Sequence, residues 1–508
     1  MRGKLSFVAA AAALSMAAPA EAKWFKAESS HFVIYAEKPA EELKAFAMQL
    51  ERFDSAVRVA RNMEDVPPGP NNRVTVYVLP SVGHLQSLIR APGSGIAGLY
   101  IPRASGSISF VPDDTKAIKS SSFTPQSVFF HEYSHHLMLQ SLDQVLPQWL
   151  VEGFAEFYST AKFEPDGSVG FGIAPAHRGW GINLLEGLPL KNMLAGNFVR
   201  TGNAQELIYG QGWLLTHMLA FNRQRSGQIT QYIQGITAGT DPMDAAKSAF
   251  GDLEKLQREL NQYRQRKTLD YVLVAADKVK VAEVKVTALG EGEAMAMPLR
   301  MQTRYGVEKK DAPKYAALSQ KVAAAFPNEA AVWVQVAEAE LDADNAEAAK
   351  AAADKALAIQ SDNVEALMFA GMAESKLAEK EPKKADWAKI RGYFLKANRI
   401  DPDDPEPLVR FYQTFLDEGV APNKNAVDGL YFAATLVPQD NELRLIVARQ
   451  LLRDSASAAA QRQLAPLAFN LHAGKLYRQL DKAVDLIKAG DREGAIKALD
   501  SLIDKKDA

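Results

Sequence analysis

Apolar and polar residues alternate along two short stretches near the start of the chain. His31-Phe-Val-Ile-Tyr35 and Arg73-Val-Thr-Val-Tyr-Val-Leu79 send successive side chains to opposite faces, which predicts strands. A helical period between them predicts a helix over about Ala40–Asn62. Ile96–Pro102 and Ser107–Val111 read as a hairpin around Ala104-Ser-Gly106. The helical period returns after Thr124-Pro125, an N-cap followed by proline at the first helical position. Val128, Phe129, Leu137 and Leu139 give that helix its apolar surface. A second helix is predicted over Leu146–Thr160, with Trp149, Leu150, Phe154 and Phe157 on its apolar side. Residues 268–310 read as a connector in which Val279–Val286 alternates like a strand. Past about residue 310 alanine dominates at helical spacing. The pattern predicts an α+β N-terminal region with a mixed sheet, followed by an all-α region.

The two central helices carry the chemistry. Residues 131–136 read His-Glu-Tyr-Ser-His-His, which contains H-E-x-x-H. Residues four apart share a helix face, so His131 and His135 can aim imidazole nitrogens at one point, about 2.0–2.1 Å from a zinc ion. Glu132 lies beside that point, placed to take a proton from zinc-bound water. His136 is rotated by about 100° from His135 and reads as a packing or surface residue, not a ligand. Glu152 and Glu156 share a face inside the apolar run of the second helix, where unpaired charge is costly. A cation resolves that cost. Glu152 is then the third metal ligand, and Glu156, one turn on, orients a ligating histidine through its N–H. If the connection from His135 is too short to close, Glu156 takes the place of Glu152.

These residues resemble a known family. His131-Glu132-x-x-His135 followed by Trp149-Leu-Val-Glu152-Gly-Phe-Ala155 is similar to the gluzincin metallopeptidases, the clan of thermolysin and the aminopeptidase N type, and most of all to its bacterial peptidase MA-like group. The match is specific over about residues 125–160 and diffuse over about 25–265. The resemblance implies a zincin-like catalytic domain over 23–267, Glu152 as third zinc ligand and Glu156 as support for a zinc histidine. It also implies a proton donor that stabilises the oxyanion, for which Tyr209 is the candidate and His217 the weaker alternative. An edge strand beside the zinc helix holds extended substrate in that clan, and Ser107–Val111 is similar in placement. Residues 311–508 resemble degenerate tetratricopeptide repeats. Trp333, Ala337, Ala349, Ala353, Ala356 and Ser361 fall on the repeat's small and turn positions, and Leu367 and Gly371 recur one period of 34 later. Phe394, Ala397 and Pro402 follow after an insertion of about seven residues, then Leu408, Ala433 and Pro438 after a smaller one. A generic helical bundle is the competing reading. Such a surface implies a possible protein partner.

Composition adds the compartment. Arg2 and Lys4, the apolar run Leu5–Ala18 and Ala20-Glu-Ala22 read as a signal peptide over residues 1–22, which predicts export to the periplasm or outside the cell. No later run is long enough to span a membrane, so the mature chain is expected to have no transmembrane segment. Cysteine is absent, which excludes disulfides, a catalytic thiol and a cysteine-ligated metal. Net charge is −2; residues 1–22 hold Arg2, Lys4 and Glu21, a net of +1, leaving −3, which gives no support for nucleic-acid binding. The expectation is an exported zinc metallopeptidase acting on a peptide or protein substrate through zinc-bound water activated by Glu132. The alternative is a non-catalytic scaffold that retains a metal site.

Overall fold

The structure, a computed structural model, describes residues 23–94, 96–114, 124–139, 145–183, 188–195, 202–468 and 476–504. The predicted signal peptide, residues 1–22, lies outside them, as do residues 140–144 of the connection from His135 to Glu152.

The N-terminal region is built on a six-stranded mixed sheet. Its strands are β1 (Trp24–Glu28), β2 (Phe32–Glu37), β3 (Val74–Leu79), β4 (Leu99–Ile101), β5 (Ile108–Pro112) and β9 (Lys285–Ala288), and their spatial order is β4-β5-β3-β2-β1-β9. The β2–β3 and β3–β5 pairs are parallel; the outer pairs are antiparallel. β6 (Lys162–Phe163), β7 (Val169–Phe171) and β8 (Val272–Val274) form a small antiparallel sheet. Helix α1 (Ala40–Arg61) connects β2 to β3 and ends on Asn62 in the left-handed conformation. α2 (Val82–Leu88) follows β3, and α3 (Pro125–Met138) and α4 (Gln148–Ser159) carry the candidate site. α5 (Gly179–Asn183), α6 (Leu190–Leu194), α7 (Gly202–Phe221), α8 (Gln228–Thr237), α9 (Pro242–Phe250) and α10 (Leu253–Arg264) complete the region.

Alternation along the strands separates two cores. Phe32, Ile34 and Ala36 on β2, with Val74, Val76 and Val78 on β3, face α1 and α3, where Leu50, Phe53, Phe129, Phe130 and Tyr133 meet them. Tyr35, Tyr77 and Phe110 face the other way, in register across three strands, with rings stacked at 5.6 and 5.3 Å. That second face is covered by α11 (Glu291–Tyr305), through Met297 and Met301. Residues 268–310, expected as a connector, are thus structural parts of the N-terminal region. β9 lies later than the predicted Val279–Val286 strand, and Val284 is buried in the main core.

The remainder is all helical: α12 (Ala312–Ala325), α13 (Ala330–Asp342), α14 (Ala346–Ile359), α15 (Val364–Ala378), α16 (Trp387–Ile400), α17 (Pro405–Glu418), α18 (Lys424–Leu436), α19 (Asn441–Arg453), α20 (Ser457–Ala468), α21 (Leu476–Lys488) and α22 (Arg492–Asp504). Each packs on the next. Small residues permit this: Ala337, Ala349, Ala353 and Ala356 are fully buried, and a Cβ on Gly371 would sit 2.6 Å from the Phe394 ring. Among the described residues no helix is long and apolar enough to cross a membrane.

Candidate metal centre

α3 starts where the sequence predicts. The Thr124 side chain accepts from the Ser127 amide at 3.1 Å, and Ser127 Oγ accepts from the Thr124 amide at 2.9 Å, a reciprocal cap that satisfies two otherwise orphaned donors. Burial then divides the helix. Phe129, Phe130, Tyr133, Leu137 and Met138 are buried, whereas His131, Glu132 and His135 are partly exposed on one face.

α4 packs across that face from the side of α7. The approach depends on glycine. A Cβ on Gly153 would lie 2.3 Å from the Gly212 carbonyl oxygen, and one on Gly212 would lie 2.4 Å from that of Trp149. Both distances are far inside contact, so these positions accept no side chain without displacement of a helix. The glycine that follows Glu152 thereby fixes the seating of its carboxylate, and α7 brings Tyr209 to the same place.

The result is a compact triangle of donor atoms. His131 Nε2 and His135 Nε2 are 3.2 Å apart, and Glu152 Oε2 is 3.5 Å from the first and 3.6 Å from the second. Donors around a tetrahedral ion with bonds of about 2.0–2.1 Å are separated by roughly 3.3 Å. The three residues can therefore hold a metal ion together. Glu156 lies on the other side of the ring, its Oε1 at 3.4 Å from His131 Nδ1. Glu152 thus faces the ligating edge of His131 and Glu156 the opposite edge. Glu132 borders β4, since a Cβ on Gly98 would be 3.5 Å from Glu132 Cγ and 2.1 Å from Val128 Cγ1.

Electrostatics agree with a cation site. Glu152 and Glu156 are almost fully buried. Burial disfavours a charged His131, yet Glu152, Glu156 and Glu132 outweigh it and push the imidazole up to about 10. The carboxylates therefore favour positive charge at this spot, which a proton or a bound cation can supply. Burial alone would raise the Glu156 carboxyl; Arg178, His131 and His177 hold it well below the usual carboxylate range.

His177 and Arg178 carry no recognisable sequence signal, yet both reach Glu156. His177 Nε2 is 3.3 Å from its Oε2, and Arg178 Nε donates to its Oε1 at 2.8 Å. Arg178 also donates to Glu206 at 2.9 Å, and its guanidinium lies 4.3 Å from the centre of the Tyr209 ring. Arg178 thus ties α4 to α7. The Tyr209 ring is 5.7 Å from that of His131. His217, the alternative to Tyr209, is fully buried elsewhere. It accepts from Tyr263 at 2.8 Å and donates to the Gly172 carbonyl at 2.8 Å, and burial lowers it to about 4. His136 is buried on the β4 side of α3, where it accepts from the Tyr100 hydroxyl at 2.7 Å.

One expectation is corrected. Ser107–Val111 was expected as the edge strand, but β5 lies between β3 and β4. The open edge on the α3 side belongs to β4, because the hairpin folds Leu99–Ile101 outward past β5.

A second group, His31, Asp54 and Asp65, also meets the distance requirement for a metal. Its atoms are already engaged: His31 Nδ1 is 2.9 Å from Glu51, His31 Nε2 is 3.1 Å from Asp65, and the Asp54 carboxylate shares the Arg58 Nε–H between its two oxygens and accepts from the Tyr133 hydroxyl. No protein-family model matches this chain, and no curated protein matches it in sequence.

Proposed function

We propose that this chain is an exported zinc-dependent metallopeptidase of gluzincin type, with a zincin-like catalytic domain and tetratricopeptide-like helices behind it. The single observation that carries the reading is the triangle of His131 Nε2, His135 Nε2 and Glu152 Oε2, with the carboxylate of Glu132 on the adjoining residue. Zinc suits two imidazoles and one carboxylate, and when bound it lowers the pKa of water and polarises a carbonyl.

The protein's own groups do the rest. Glu132 takes a proton from the attacking water and passes it to the leaving amine. Glu156, held ionised by Arg178, accepts from His131 Nδ1–H and so leaves Nε2 as the ligating nitrogen. Tyr209 lies against His131 and donates its hydroxyl to the developing oxyanion. The open edge of β4 offers backbone groups to an extended peptide, which favours main-chain over side-chain recognition. Export rests on residues 1–22. The repeat reading is supported by helix pairs that start at Ala330, Val364, Pro405 and Asn441, with the longest interval where the sequence pattern needs an insertion.

The test is Glu132→Gln. Zinc content, measured by elemental analysis, stays at one ion per chain, and cleavage of a peptide library disappears. Undiminished cleavage by that variant overturns the mechanism. A wild-type protein that holds zinc and cleaves nothing returns the chain to the scaffold reading.

A further inference from the structure

β4 is an unusually short platform for a strand with an open edge. It has three residues and, among the described residues, pairs on one side only. So short a strand makes few ladder bonds with β5, and other ties add to its order. Gly98 seats its start on α3, and Ser109 Oγ donates to the Leu99 carbonyl at 3.2 Å. Further ties come from the helical array, hundreds of residues on.

The turn between α18 and α19 supplies two of them. Val437, Pro438, Gln439 and Asp440 are all buried, although helix-to-helix turns usually lie on the surface. Gln439 Nε2 is 3.3 Å from His136 Nδ1, the nitrogen that also accepts from the Tyr100 hydroxyl of β4, and 303 positions separate the two residues. Asp440 Oδ2 accepts from the Ala104 amide at 2.6 Å, in the turn that joins β4 to β5. The turn is itself stiff. Asp440 Oδ1 caps α19 by accepting from the Glu442 and Leu443 amides at 2.8 and 3.0 Å, and Arg444 Nε donates to the Pro438 carbonyl at 2.7 Å. Nearby, Arg103 donates to the Arg304 carbonyl of α11 at 2.8 Å, and Ala104 packs into the apolar cluster of Tyr412, Phe415 and Leu430. Tyr133, within the H-E-x-x-H segment, stacks on His136 at 5.2 Å. One buried imidazole therefore joins the metal helix, the open strand and the helical array.

We propose that the helical array is a built-in brace for β4, and that Gln439 and His136 are the positioning residues through which it acts. This side of the array is occupied by the chain's own N-terminal region. Its consequence for peptide binding rests on the peptidase reading; its consequence for the order of β4 does not.

The experiment uses the full chain loaded with zinc and compares wild type with Gln439→Leu and Tyr100→Phe, which approach His136 from opposite sides. The first readout is hydrogen exchange by mass spectrometry. Both variants speed exchange in the segment that contains Leu99–Ile101 by about tenfold, while β2 and β3 keep their rates. The double variant is no faster than the faster single one, because both act through one nitrogen. The second readout is hydrolysis of a quenched-fluorescent decapeptide library, for which KM rises severalfold and kcat and zinc affinity stay within twofold. Unchanged exchange at β4 in both variants, or faster exchange spread over the whole sheet, overturns the brace. Local acceleration in a protein that hydrolyses no peptide keeps the brace and sinks the peptidase reading.

Discussion

Helix α3 carries a histidine–carboxylate cluster on each side. On its partly exposed face stand His131, His135 and Glu152; behind it, reached through Tyr133, stand His31, Glu51, Asp54 and Asp65. Both join imidazole to buried carboxylate. They differ in where the lone pairs point and in how charge is matched. In the rear cluster each ring nitrogen of His31 faces its own acid, and Asp54 is neutralised by Arg58. In the front cluster two nitrogens and one oxygen converge on a single point. An ion-pair network satisfies itself; a metal site leaves its donors aimed at the same place.

The sharpest way to break this comparison is Glu132→Gln, which removes the proposed general base, and one negative charge beside His131 with it, at nearly constant shape. Hydrolysis falls by about a thousandfold or more, with zinc content unchanged. The next is Glu152→Ala against His31→Gln. Loss of a direct ligand lowers zinc affinity by more than about a hundredfold, since outer-shell partners alone are worth 10–100-fold. His31→Gln leaves zinc affinity unaltered, as measured by chelator competition. Equal losses in the two variants would mean that the clusters are not functionally distinct.

How much of this was readable beforehand follows from the range of the interactions. Residues four apart on one helix share a face whatever surrounds them, so His131, His135, Glu152 and Glu156 are legible from spacing, as are α1, β2 and β3 from their periods. The order of strands is not local. Ser107–Val111 reads as a strand, but only pairing shows that β4 lies outside it. β1 escapes notice because its residues are mostly half-buried and alternate weakly. α11 contains Pro298 and two arginines, and its function as the cover of a sheet depends on Glu365 and Glu338, which neutralise Arg300 and Arg304 from two other helices. His177 and Arg178 acquire meaning only when folding brings Glu156 to them.

Glu156→Gln tests the outer layer of the front cluster. It keeps the shape of the side chain but removes the charge that balances Arg178 and orients His131. Zinc affinity drops by about 10- to 100-fold, less than for Glu152→Ala. A loss as large as that of Glu152→Ala would make Glu156 a direct ligand.

The smallest effect expected is a pH dependence of stability that belongs to the rear cluster alone. Burial opposes a charged His31, but Glu51 and Asp54 outweigh both burial and the repulsion of Arg58, so its folded-state pKa lies above the ordinary 6.5; Asp65 faces the ring's other nitrogen. A histidine whose pKa rises on folding contributes stability in full below about 6.5, and that contribution fades as pH rises through the raised folded value. As pH rises above about 6.5 wild type should therefore lose more stability than His31→Gln in urea unfolding at fixed zinc. Taking the difference between the two proteins at each pH cancels the titration of the metal ligands, which both share. Parallel stability curves would show that His31 is neutral in the folded protein, and the rear cluster would then hold one more negative charge than its geometry accommodates.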